Sequence, residues 1–113
     1  MAKARETDPL PTRVKIGYLV YSIEELSDIE ADNRRATGET AHLLRRIRVN
    51  MGMGGAAAAE TLLHEILHCV WKLWDIEDTP RQESAVTKLG MGLATIWVDN
   101  PEVFAWISRR LAA

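Results

Sequence analysis

The chain has 113 residues, of which 47% are hydrophobic and 27% charged, and its formal net charge at pH 7 is −2. This length and composition are typical of a single globular domain rather than a disordered protein. The small net charge excludes a surface tuned throughout for nucleic acid, the single cysteine excludes an internal disulfide or a four-cysteine zinc ribbon, and no apolar run is long enough to span a membrane. We therefore expect neither nucleic acid nor a membrane as a partner.

The amino-terminal segment is polar and contains Pro9 and Pro11, which oppose regular secondary structure. Residues 1–12 are therefore predicted to form a flexible arm, and residues 13–113 a single domain. Because no apolar signal core follows the basic residues of this segment, the expected location is the cytoplasm.

Two stretches in the first half of the chain alternate between apolar and polar residues, the pattern of half-buried β-strands. The apolar positions of the first are Val14, Ile16, Tyr18 and Val20, and those of the second are Leu43, Ile47 and Val49. The polar stretch between them, residues 28–38, is predicted to be a loop with some helical turn.

The second half of the chain is predicted to be helical. Apolar residues recur at three- and four-residue spacing over residues 56–74, which predicts a long, central and mostly buried helix. Thr79 and Pro80 are typical of a helix start, and that helix is expected to reach Val98; Asn100 and Pro101 open the last one. The predicted class is α+β: a short antiparallel or mixed sheet in the N-terminal half, then the long helix and two further helices.

The long helix contains the segment His64-Glu65-Ile66-Leu67-His68, which has the form HExxH. Residues four apart share one helical face, so the two imidazoles can converge on one metal ion, and neutral imidazole is a ligand that zinc accepts. Glu65 lies about 100° around the helix, beside the ion, where it can take a proton from a zinc-bound water. An unliganded pair of histidines with a glutamate would be costly to bury in so apolar a helix.

A catalytic zinc site needs a third protein ligand. The metzincin continuation requires glycine at position 71 and histidine at position 74, where this chain has tryptophans. The remaining histidine, His42, lies upstream. The downstream carboxylates are Asp75, Glu77, Asp78 and Glu83. We favour Glu83, because a helix that packs antiparallel to the first can direct it back at the metal, with Gly90 and Ala94 small enough to allow close approach.

The segment from Glu60 to His68, followed by a short turn and the helix opening Gln82-Glu83-Ser84, resembles the zincin metallopeptidases of gluzincin type, in particular small phage and prophage proteins with a reduced form of that domain. The resemblance extends from the strand beginning at Arg46 to the last helix. It implies a zincin-like fold, a zinc ion held by two histidines and a glutamate of the following helix, and the motif glutamate as general base. In this chain these residues are His64, His68, Glu83 and Glu65.

The resemblance further implies an edge strand that pairs with an extended peptide or protein substrate, here about Leu43 to Val49. It also implies the host cytoplasm if the protein is phage-encoded. Larger gluzincins carry a tyrosine or histidine that stabilises the oxyanion, and the candidates in this chain are Tyr18, Tyr21 and His42. The short interval from His68 to Glu83 and the missing second lobe depart from the family pattern.

The predicted function is zinc-dependent hydrolysis of peptide bonds, with Glu65 activating the water. An alternative is a zinc-stabilised protein-binding module without activity, in which some tryptophans form an exposed surface for a protein partner or a second copy of the chain. We favour core positions for Trp71, Trp74, Trp97 and Trp106, because each lies on an apolar helical face. Nucleic-acid binding through Arg34, Arg35, Arg45, Arg46 and Arg48 is a third, less favoured interpretation.

Overall fold

The structure is a computed structural model, and it describes residues 8–76 and 82–112, without the side chains of residues 82–84, 86 and 87. The elements are β1 (Arg13–Ile16), β2 (Leu19–Glu25), α1 (Asp28–Arg34), β3 (Gly38–Ala41), β4 (Arg46–Val49), α2 (Gly55–Leu73), α3 (Gln82–Asp99) and α4 (Pro101–Ala112). Strands dominate the first half and three helices follow them, so the predicted α+β class is confirmed. No helix in the described part of the chain is long and apolar enough to cross a membrane.

The four strands form one mixed sheet in the order β1-β2-β4-β3. β1 and β2 are antiparallel, β2 and β4 are parallel, and β4 and β3 are antiparallel. The expectation that Leu43–Val49 forms an edge strand is wrong, because β4 pairs with a strand on each side. Leu43 instead lies in a turn with its side chain fully exposed. The edge strand on this side of the sheet is β3.

A two-residue turn divides the stretch that was predicted to be one strand from Val14 to Val20. Gly17 has a φ of 61°, in the left-handed region where glycine is favoured, and Ile16 pairs with Leu19 across the turn. The turn shifts the buried side chains from even positions in β1 to Tyr21 and Ile23 in β2. Tyr18 is consequently 80% exposed, and Val20 lies on the outer face of the sheet.

α2 and α3 pack on one face of the sheet, and α4 packs against α2. α2 is central, as predicted, and contributes Leu62, Ile66, Cys69 and Val70 to the core with no exposed surface. Gly92 of α3 lies against α2 so closely that an added Cβ would be 2.7 Å from a methyl carbon of Val70. Close approach of these helices was expected at Gly90 and Ala94, but Ala94 is exposed.

The tryptophans occupy three kinds of environment. Trp106 is buried in the core, and Trp71 and Trp74 are partly buried against it. Trp97 is 55% exposed, so the core position predicted for it is wrong; its ring stacks on Phe104 with the ring centroids 4.2 Å apart. The exposed face of α3 therefore carries an aromatic side chain.

Two long-range contacts join the ends of the described chain. Asn100, which is 6% exposed, accepts a hydrogen bond from the Lys15 backbone N–H (2.8 Å) and donates one to the Lys15 carbonyl (2.7 Å). In α4, Arg109 forms an ion pair with Asp8 at 2.9 Å. Asp8 belongs to the segment that the sequence assigned to the arm.

Candidate metal centre

His64 and His68 project from the exposed face of α2, one helical turn apart. Their Nε2 atoms are 3.0 Å from each other, and the two rings meet edge to face with centroids 4.7 Å apart. Two nitrogen ligands at tetrahedral angles around a zinc ion are separated by about 3.3 Å. The two imidazole nitrogens are therefore close enough to bind one metal ion of the size of zinc, although this spacing is not specific to zinc.

Glu65 lies beside the histidine pair but is directed into the protein, where it is 6% exposed. Its carboxylate oxygen and the two histidine nitrogens lie within 4.8 Å of one another, a group that could hold a metal ion. The Thr40 hydroxyl of β3 donates a 2.6 Å hydrogen bond to Glu65 Oε1. This bond offsets part of the cost of burying a carboxylate.

The side chain of the predicted third ligand, Glu83, lies outside the described part of the structure. The alternative ligands Glu77 and Asp78 lie outside it entirely. Among the described residues, no carboxylate or thiolate other than Glu65 joins the histidine pair. Asp75 follows α2 with a φ of 50°, and its backbone carbonyl accepts a hydrogen bond from Lys88. The described part of the centre thus consists of two imidazoles and one carboxylate.

A partly buried polar pair lies next to this group. The Tyr21 hydroxyl is 3.0 Å from His42 Nδ1. Burial, with a smaller contribution from Cys69, raises the pKa of Tyr21 to about 12, so its hydroxyl keeps its proton at neutral pH. The pKa of His42 lies below its ordinary value, chiefly because the ring is partly buried and also because Lys72 and His68 are near, and Glu65 offsets part of this shift.

Of the three candidates for oxyanion stabilisation, the structure therefore brings two together beside the centre and leaves Tyr18 in the β1–β2 turn. Cys69 is fully buried, and burial raises the pKa of its thiol to about 12. A thiol that holds its proton so firmly is a poor metal ligand, in keeping with the core role expected for it.

An open cleft of about 540 Å³ leads away from His64 and Glu65 between the start of β3 and the first turns of α2. The residues that line the cleft include Arg35, Thr37, Gly38, Met53, Glu60 and Thr61. A second depression of about 360 Å³ continues it towards α1 and shares Arg35 and Met53. The candidate centre thus lies at one end of a groove that is open to solvent.

The arginines considered for nucleic-acid binding are partly engaged with carboxylates. Arg48 approaches Glu30 at 3.0 Å and Glu39 at 3.5 Å, and Arg34 pairs with the same two glutamates. These contacts tie α1 to the outer face of the sheet and neutralise two of the five positive charges.

β3 is the element beside the candidate centre that the sequence does not reveal. Its residues, Gly-Glu-Thr-Ala, contain no apolar alternation, and the segment lies between two turns.

Comparison of the chain with protein-family models, curated proteins and solved structures finds no significant match.

Proposed function

We propose that this protein is a zinc-dependent metallopeptidase with a small zincin-like domain. The observation that carries this proposal is the exposed pair of imidazole nitrogens, 3.0 Å apart, with the Glu65 carboxylate beside it at the end of an open cleft. Retention of a carboxylate at this position favours an enzyme, because a purely structural zinc site has no use for a general base.

The proposed roles follow from the position of each side chain. His64 and His68 hold the zinc ion, and Glu83 is proposed as the third protein ligand. When bound, zinc supplies Lewis-acid chemistry, which lowers the pKa of a water and polarises a peptide carbonyl. Glu65 accepts the proton that the attacking water loses and delivers it to the leaving amine.

We propose that the peptide substrate lies along β3 rather than along the segment Leu43–Val49. β3 is an edge strand, so one side of its backbone has no neighbouring strand in the sheet. Its first residue, Gly38, also lines the cleft together with His64 and Glu65. An extended peptide that added to this edge would lie beside the cleft that His64 and Glu65 line.

The test combines metal content with proteolysis. Purified protein is loaded with zinc, analysed for bound metal, and incubated with a peptide library with and without a chelator. We expect one zinc per chain and cleavage that the chelator abolishes. Glu65→Gln, which preserves the shape of the side chain, should retain zinc and lose a factor of about 10²–10⁴ in rate.

Glu102→Gln removes the same charge from the exposed first turn of α4 and serves as the matched control; it should cleave as fast as wild type. A wild-type protein that binds no zinc would exclude the proposed function, and a Glu65→Gln variant with full activity would exclude the role of Glu65.

A zinc-stabilised binding module without activity is the second candidate. It is favoured by the exposed face of α3, where Met91, Trp97 and Val98 are 59%, 55% and 78% exposed. Exposed apolar side chains of this size are typical of surfaces that bind a protein partner or a second copy of the chain. Zinc binding without cleavage of any library peptide, together with a stable complex that Trp97→Gln weakens, would favour this candidate.

A further inference from the structure

The buried carboxylate of Glu65 is contacted by β3, the short edge strand beside α2. Side chains alternate along β3, so Gly38 and Thr40 face α2, whereas Glu39 is on the outer face and contacts Arg48. The Thr40 hydroxyl donates its hydrogen to Glu65 Oε1 at 2.6 Å. A Cβ on Gly38 would be 3.2 Å from Glu65 Oε2. β3 thus reaches both carboxylate oxygens.

We propose that Thr40 is a positioning residue for Glu65. This inference rests on the proposed peptidase function and deepens it. A hydroxyl has one hydrogen, and Thr40 directs it at Oε1, which restrains rotation of the carboxylate and leaves Oε2 without this bond as the oxygen that accepts a proton. Without that donor, the buried carboxylate would rotate towards other donors or recruit water, and its distance from the reacting water would vary.

Gly38 completes the arrangement by leaving space. A Cβ at this position would come within 2.5 Å of Thr61 Cγ2, as well as 3.2 Å from Glu65 Oε2. A side chain at position 38 would therefore push β3 away from α2 or turn the carboxylate. Gly38 thus leaves room for the Glu65 carboxylate, and the Thr40 hydroxyl binds it.

The first experiment measures the Thr40–Glu65 interaction without reference to activity. A double-mutant cycle combines Thr40→Val, which keeps the β-branched shape and removes the hydroxyl, with Glu65→Met, which keeps the length and removes the acceptor. Unfolding equilibria are measured in urea on the full-length metal-free chain. We expect the effect of the double substitution on the unfolding equilibrium constant to differ from the product of the two single effects by at least tenfold. A coupling of this size is typical of a hydrogen bond to a charged group. Additivity within twofold overturns the proposal.

The second experiment measures the consequence for catalysis, with zinc-loaded protein and the library peptide that wild type cleaves fastest. Thr40→Val should lower kcat by about 10–100-fold, with KM within threefold of wild type and one zinc still bound. Thr40→Ser restores the hydroxyl and should recover kcat to within threefold of wild type. Thr95→Val, which removes a hydroxyl that bonds a backbone carbonyl on the exposed side of α3, is the control and should leave both constants unchanged.

The two experiments distinguish failure of this inference from failure of the proposed function. Equal kcat in Thr40→Val and wild type, or equal impairment in Thr40→Ser and Thr40→Val, overturns the positioning role while the peptidase stands. If wild type cleaves nothing, the proposed function fails, and the double-mutant cycle alone decides whether Thr40 holds Glu65 in place.

Discussion

Replacing Asn100 with alanine removes three hydrogen bonds at the junction of α3 and α4. The amide of Asn100 bonds the backbone N–H and carbonyl of Lys15, at 2.8 and 2.7 Å, and the carbonyl of Ile96 at 2.9 Å. The Lys15 groups lie on the edge of β1 that faces away from β2, so the side chain of Asn100 takes the place of a neighbouring strand.

Each of these bonds contributes about 1 kcal/mol to the free energy of unfolding, so Asn100→Ala should lower it by about 3 kcal/mol. For a domain of this length, that loss corresponds to a decrease in Tm of about 12 °C. Urea unfolding followed by far-UV circular dichroism measures the change directly. Asn33→Ala, at an exposed position of α1, is the control and should change the free energy by less than about 0.5 kcal/mol. A loss below about 1 kcal/mol in Asn100→Ala would refute the view that Asn100 closes this edge of the sheet.

Three further outcomes are expected. Gly92→Ala should destabilise the fold by about 1–3 kcal/mol, because the new Cβ would be 2.7 Å from Val70, and the same substitution should cost less when it is measured in a Val70→Ala background. The hydrogen bond from Arg109 lowers the pKa of Asp8 from its ordinary value of 3.8. Their pairing therefore stabilises the fold at pH values above 3.8, and this contribution, below about 1 kcal/mol, is lost as the pH falls through the lowered pKa. Asp8→Asn should abolish this pH-dependent contribution in an acid titration of stability. Zinc at a hundredfold excess over its Kd should stabilise the chain by about 2.7 kcal/mol, and the absence of any zinc-dependent Tm shift would contradict the proposed centre.

The helices could be predicted because their apolar residues repeat at the helical period, and the start of the last helix carries a recognisable residue. Pro101 is the first residue of α4. The start predicted at Thr79 and Pro80 lies outside the described residues. The strands were harder to predict, because one left-handed glycine at position 17 reverses the chain and shifts the alternation by one residue. Nothing in the composition of Gly38–Ala41 distinguishes it from a loop; it is a strand only because β4 lies beside it.

In the candidate site too, the local feature could be predicted from the sequence and the long-range contact could not. The spacing of His64 and His68 within one helix is a local property, and the sequence was sufficient to place their nitrogens on one face. Thr40 is 25 residues from Glu65, and only the folded sheet brings its hydroxyl to the carboxylate. Contacts of this kind depend on which strand occupies the edge, which periodicity does not report.

The contacts of Asn100 with β1 also bear on how the protein is made. Lys15 and Asn100 are separated by 85 positions, and Asp8 and Arg109 by 101, so the first strand meets these partners only after α3 and α4 have left the ribosome. A nascent chain ending within α3 would expose the free edge of β1 and the apolar face that α4 covers. We therefore expect this domain to acquire its native structure only when β1 and α4 are both present, rather than segment by segment, with slow folding set by these distant pairings.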